Sequence, residues 1–127
     1  MKKFGLLLIL SILTFADIKI MTSPKNPLNK VTLEDLAKVY LKKTNTINGI
    51  KVIPVDNKDS YEEFCKKVIK KTPKQLKAYW MKEIYRGDKL PPQKLSSKQI
   101  KEKMKENPKI ISYSTNKLTG KVIFTIR

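Results

Sequence analysis

Between Thr72 and Tyr113 the chain carries its punctuation so densely that few arrangements stay open to it. Thr72 can cap a helix whose first position is Pro73, and Gln75 can reach back to close a capping box. Leu76, Tyr79, Trp80 and Ile84 fall on one face of that helix, and Gly87 supplies a left-handed stop. After the Pro91-Pro92 step, Ser96 and Gln99 repeat the box for a lysine-rich helix anchored by Ile100 and Met104. That helix must end at Asn107-Pro108, because the residue before a proline is driven out of helical backbone. Lys109 to Ser114 then reads as a strand, Asn116 to Gly120 as a turn, and Val122 to Ile126 as a final strand.

The preceding half has the same clarity. Asp17 to Met21 alternates Ile18 and Ile20 with polar neighbours, the pattern of a half-buried strand. Thr22 to Lys30 holds Pro24, Asn26 and Pro27 and must be a loop. Thr32 caps the next helix, with Glu34 and Asp35 where the helix dipole favours acids. Its core stripe is Leu33, Leu36, Ala37, Tyr40 and Leu41. Asn48-Gly49 is a turn, and Ile50 to Val55 is a strand rich in β-branched residues. Ser60 and Glu63 form a further capping-box pattern, followed by a stripe of Tyr61, Phe64, Cys65, Val68 and Ile69. The order is β-α-β-α-α-α-β-β, an α/β domain.

Residue usage limits the chemistry. There is no histidine, which removes the commonest general base and metal ligand. There is no Cys-His pair, no metal-spaced cluster and no glycine-rich phosphate loop, so neither catalysis nor a cofactor is expected. The acids Glu62-Glu63 and Asp56-Asp59 are accounted for by capping and helix-start electrostatics. Cys65 lies on an apolar helical stripe and reads as a buried, inert thiol. The formal charge of +17 could serve a polyanion or an anionic membrane surface. Yet of 28 basic residues only Arg86 and Arg127 are arginines, and the lysines are spread over every element. Nucleic acid is therefore not an expected partner, since its recognition favours the planar fork of Arg.

Residues 1–16 read as an export signal: Lys2 and Lys3, an apolar run from Phe4 to Phe15, and cleavage after Ala16. The run is shorter than the roughly 20 residues that span a bilayer. The alternative is a retained N-terminal anchor. Cleavage leaves one small domain, residues 17–127, in a periplasmic or otherwise exported setting and with no transmembrane segment.

Several landmarks also occur together in one known order. They are Ile20 to Leu28 with its Ser23-Pro24-Lys25-Asn26-Pro27 loop, Leu33 to Lys42 with Tyr40-Leu41, and Asn48-Gly49 to Val55. Tyr79-Trp80, Tyr85-Arg86-Gly87, Pro91-Pro92 and Asn107-Pro108-Lys109-Ile110-Ile111-Ser112-Tyr113 follow. This set resembles the phosphate ABC transporter substrate-binding protein family over essentially the whole of residues 17–127. The resemblance implies a single periplasmic-binding-protein type II lobe, an α/β unit with a mixed sheet flanked by helices. It further implies a non-enzymatic, solute-binding-like protein for phosphate or another small oxyanion.

In the family, a Ser-Gly-Thr loop at a helix N-terminus cradles the oxyanion, and its counterpart here is Lys58 to Phe64. Lys58, Ser60 and Tyr61 are the candidate ligand-binding residues on that loop, and Ser23 is the candidate after the first strand. Ser60 keeps the hydroxyl, whereas Asp59, Glu62 and Glu63 bring negative charge and Ser112 stands where the family has glycine. From its residues alone Ser60 reads as a plain helix cap rather than an anion ligand. Trp80 and Tyr113 read as core aromatics, and Arg86 as a partner of helix-end carbonyls. The alternatives to oxyanion binding are an envelope module that binds a protein partner, and a basic binder of polyanions or membrane surfaces.

Overall fold

The computed structural model describes residues 17–87, 89–116 and 120–127. The expected export signal lies outside these residues, as does the middle of the Asn116 to Gly120 turn. The first strand, β1 (Ile18–Thr22), is followed by helix α1 (Leu33–Tyr40) and a small hairpin, β2 (Thr46–Ile47) and β3 (Ile50–Lys51). Next come β4 (Ile53–Asn57) and α2 (Tyr61–Phe64), which widens into a π-helical segment over Cys65–Ile69. Then follow α3 (Pro73–Tyr85), β5 (Gln93–Leu95), α4 (Ser97–Glu106), β6 (Ile110–Ser114) and β7 (Lys121–Ile126). The main sheet has the order β5-β4-β6-β1-β7. β4 is parallel to β5 and β6, while β1 is antiparallel to β6 and β7. The sheet is mixed, as the resemblance implies.

Chain chirality places the helices. The connection from β4 to β5 steps one way across the sheet, and that from β5 to β6 steps back past β4. Right-handed crossovers in opposite directions put their helices on opposite faces. The core divides accordingly. On one face Ile18, Ile20, Ile111 and Tyr113 pack with Leu36, Val39, Tyr40, Phe64, Leu76 and Trp80 from α1, α2 and α3. On the other face Met21, Val55, Leu95 and Ile110 pack with Ile100 and Met104 of α4. The first core centres on three rings: Phe64 stacks on Tyr113 at 3.8 Å, and Tyr40 meets both edge-on. Full burial of one such side chain contributes about 1.5–3 kcal/mol.

Most helix starts form as the residues dictate. Capping boxes close at Thr32 with Asp35, Thr72 with Gln75 and Ser96 with Gln99. Asn48 and Gly49 both take positive φ (52° and 79°), which the two-residue hairpin requires. Gly120 is fixed more tightly: at φ 77°, an added Cβ would lie 2.1 Å from the Thr22 carbonyl oxygen.

Five expectations need correction. The strand over Ile50 to Val55 is broken at Val52, whose N–H donates to the Asn45 carbonyl (2.9 Å). β5 had no strand signal, since three residues after a Pro-Pro step show no periodicity. Leu33 sits exposed in the first turn of α1, and Val39 takes its place in the core. Ile84 is exposed rather than core-facing, and the buried residue of that turn is Glu83. Finally, no capping box forms at Ser60.

Candidate functional site

The end of β4 is tied to its neighbours by both side-chain and backbone hydrogen bonds. Asn57 is fully buried and acts in three directions. Its Nδ2 donates to the Tyr113 carbonyl (3.0 Å) and lies 3.1 Å from Ser97 Oγ, while its Oδ1 accepts from the Asp59 N–H (2.8 Å). The Lys58 N–H donates to the Leu95 carbonyl (2.9 Å), and the Ser60 N–H to the Asn57 carbonyl (3.3 Å). The loop from Asn57 to Ser60 is thus pinned to β5, β6 and the start of α4 before α2 begins.

That pinning explains Ser60. The three working caps have extended backbone, with ψ of 167° at Thr32, 160° at Thr72 and 163° at Ser96. Ser60 instead has φ −115° and ψ 10° and makes no side-chain cap bond. Glu63, which a box would turn back toward Ser60, pairs with Lys67 at 3.4 Å. The hydroxyl therefore stands at the first turn of α2 without capping it. Downstream the helix widens: the Lys70 N–H reaches back five residues to the Cys65 carbonyl (2.6 Å), and Lys70 turns to φ 60°.

Beside this loop lies a group that the residue pattern had assigned to helix-start electrostatics. Asp56 is on β4, buried, and its Oδ1 accepts from the Tyr113 hydroxyl at 2.7 Å. Burial pushes its carboxyl up to about 6, against the pull of the Tyr113 bond and the Lys94 charge. The Tyr113 hydroxyl is driven well above its ordinary value, by burial first and by Asp56 next. The Lys94 ammonium sits 3.6 Å from the centre of the Tyr61 ring. Asp56, Tyr61, Lys77, Trp80 and Lys94 line a hollow of about 420 Å³. Burial also pushes the Cys65 thiol up to about 11, although Tyr61 bonds to it. The only signal of this cluster in the sequence is a polar pair, Asp56-Asn57, directly after an apolar run.

The candidate residues fall into two groups. Lys58, Ser60 and Tyr61 are together on the β4 exit, with Lys58 exposed and Ser60 buried. Ser23 is elsewhere. Thr22 and Pro54 both pair with Ile111, so they are level across the sheet. From there β1 and β4 run in opposite directions, which leaves Ser23 and Asn57 four residues of rise apart, about 13 Å. Ser23 is also occupied locally, its Oγ accepting from the Lys25 N–H (3.1 Å). A small anion at Ser60 does not reach it. Ser112 spends its hydroxyl on the Val55 carbonyl (2.8 Å). Arg86 pairs with Glu83 (3.5 Å), not with helix-end carbonyls. Among the described residues, no cluster of three or more metal-ligating side chains occurs, and no helix is long and apolar enough to cross a membrane.

The described residues form a single α/β unit, a mixed sheet flanked by helices, with a helix starting at the exit of the parallel strand β4. Solved structures of that kind match it. One is a phosphate ABC transporter substrate-binding protein from Clostridium perfringens with bound phosphate. It has 18% identity and a TM-score of 0.56 over 77% of this chain and 40% of that one. PstS from Borrelia burgdorferi matches at 17% identity and a TM-score of 0.55, over 89% and 47% of the two chains. An ABC-type phosphate transport receptor from Vibrio cholerae matches at 16% and 0.52, over 85% and 46%. This chain thus spans less than half the length of the structures it matches. Neither a protein-family profile nor a curated protein matches the sequence.

Proposed function

We propose that this is an exported, non-enzymatic solute-binding-like lobe that holds a small oxyanion such as phosphate at the β4 exit. The Ser60 hydroxyl, the Lys58 ammonium and the first N–H groups of α2 supply the contacts, and Tyr61 forms the adjoining wall. The observation that carries the reading is that Ser60 makes no capping bond although it stands at a helix start. The pinned loop that keeps the box open leaves the hydroxyl to a ligand in this reading. The pinned loop supports the reading as well, since donors fixed before binding lose little freedom when the anion arrives. Export rests on Lys2, Lys3 and the apolar run to Phe15, and on the resemblance.

Contact from one lobe alone gives weak binding. Glu62 and Glu63 on α2 weaken it further, with Lys58 offsetting part of their charge. The test is the thermal midpoint in phosphate against chloride at matched ionic strength. A dissociation constant of about 1 mM would add about 1.4 kcal/mol at about 10 mM phosphate, a rise of roughly 4–8 °C. Ser60→Ala should remove most of that rise while leaving the chloride midpoint in place. A midpoint that phosphate and chloride move equally, together with no heat of phosphate binding at millimolar concentrations, would refute the proposal.

A further inference from the structure

The four most exposed large apolar side chains among the described residues all fall within ten residues. They are Met81 (62%), Ile84 (47%), Tyr85 (94%) and Leu90 (69%). Scattered apolar residues are ordinary on a protein surface, but a cluster of this kind marks a place of contact. The cluster is also shaped. Ile84 is a shared wall between the hollow of about 420 Å³ under Trp80 and Met81 and a second of about 610 Å³ bounded by Gly87 and Leu90. Lys42 and Lys89 line one hollow, and Lys77 and Lys94 the other. Among the described residues, Asp56 is the one carboxylate in those linings, and it is already bonded to Tyr113. Glu83 behind the ridge is buried and paired with Arg86 and Lys89. The described residues thus form an apolar ridge between two hollows, with Lys42, Lys77, Lys89 and Lys94 on their rims.

We propose that this face of α3, with the step at Leu90 to Pro92, is a docking surface for an acidic amphipathic segment of a protein partner. Apolar side chains of the segment enter the hollows on either side of Ile84, and its carboxylates meet the lysine rim. Charge complementarity decides the kind of partner. A second copy of the chain would face its lysine rim with another, at a formal charge of +17 per molecule. A bilayer surface matches the charge but presents no side chains for the hollows, whereas a helix with apolar residues at i, i+3 or i+4, and i+7 does. The inference is independent of oxyanion binding, and a negative phosphate titration leaves it standing.

Trp80, the sole tryptophan, lines one hollow and reports on it. The full chain is titrated with a synthetic helical peptide that carries leucine at those anchor positions and glutamate elsewhere. Three comparison probes are the same peptide with lysine for glutamate, the same peptide with serine for leucine, and phosphatidylglycerol vesicles. The expected result is a saturable change in Trp80 fluorescence with the leucine-glutamate peptide alone. Binding should weaken at least about tenfold in a Tyr85→Ser, Leu90→Ser variant, whose exposed sites leave the thermal midpoint unchanged. Equal binding of the lysine or serine peptide would overturn the proposal, as would an unaffected double variant. A response to vesicles alone would assign the face to membranes. A concentration-dependent dimer by sedimentation that shifts Trp80 fluorescence would assign it to a second copy.

Discussion

Asp56 sits where a carboxylate is costly, with the Tyr113 hydroxyl donating to it at 2.7 Å. Its carboxyl is raised from 3.8 to about 6, mainly by burial, so the fold prefers the protonated form. The sign follows from linkage. Stability from this group is fully present below about pH 4 and is lost as pH rises through about 6. A shift of that size corresponds to roughly 3 kcal/mol by neutral pH. Asp56→Asn keeps an acceptor for Tyr113 and removes the charge. In urea unfolding across pH 4 to 7, the variant should gain on the parent steadily and be the more stable of the two at pH 7. A constant difference across that range would show that Asp56 does not titrate there. Reading the sequence places Asp56 among exposed helix-start acids, because its burial comes from Tyr113 on β6, which is 57 residues away.

At the scale of elements, four helix starts carry the same pattern of a hydroxyl followed three residues later by an acid or amide, and three of them close. The difference is not local. Thr32, Thr72 and Ser96 all take extended backbone, Ser96 as the continuation of β5, whereas Ser60 follows Asn57, whose side chain is bonded to Ser97 and Tyr113. This predicts a contrast between two substitutions that look alike. Thr72→Ala should cost about 1 kcal/mol of stability, the ordinary price of a lost cap. Ser60→Ala should fall within about 0.5 kcal/mol of the parent, as no cap bond is there to lose. Equal losses in chemical denaturation would mean that Ser60 caps α2 in solution. The same contrast marks what the residues alone disclose. The capping boxes at Thr72 and Ser96 and the hairpin at Asn48-Gly49 are set within four residues and were legible. β5 depends on pairing with β4, some 38 residues earlier in sequence, and was not. Of the candidate residues, the landmark order groups Lys58, Ser60 and Tyr61, which do lie together on the β4 exit. That Ser23 lies at another strand end follows from sheet register, which motif spacing does not carry.

For the whole molecule, the balance of charge acts on every other term. The formal charge is +17, and the described ion pairs are mostly short-range contacts along single helices. Exposed pairs of that kind contribute at most about 1 kcal/mol each. Spread over a domain this small, the lysines repel one another in the folded state more than in the extended chain. Salt shortens the screening length from about 10 Å at 0.1 M to about 3 Å at 1 M, less than the spacing of most surface charges. Sodium chloride should therefore stabilise the fold, with a thermal midpoint that climbs by several degrees between about 20 and 500 mM. A midpoint that falls with salt would show instead that attractive pairs such as Arg86 with Glu83 dominate. The rise also sets the standard for oxyanion binding. Phosphate screens lysines as chloride does, so specific contact at Ser60 is measured only by what phosphate adds above the chloride curve, and only that excess should vanish in Ser60→Ala.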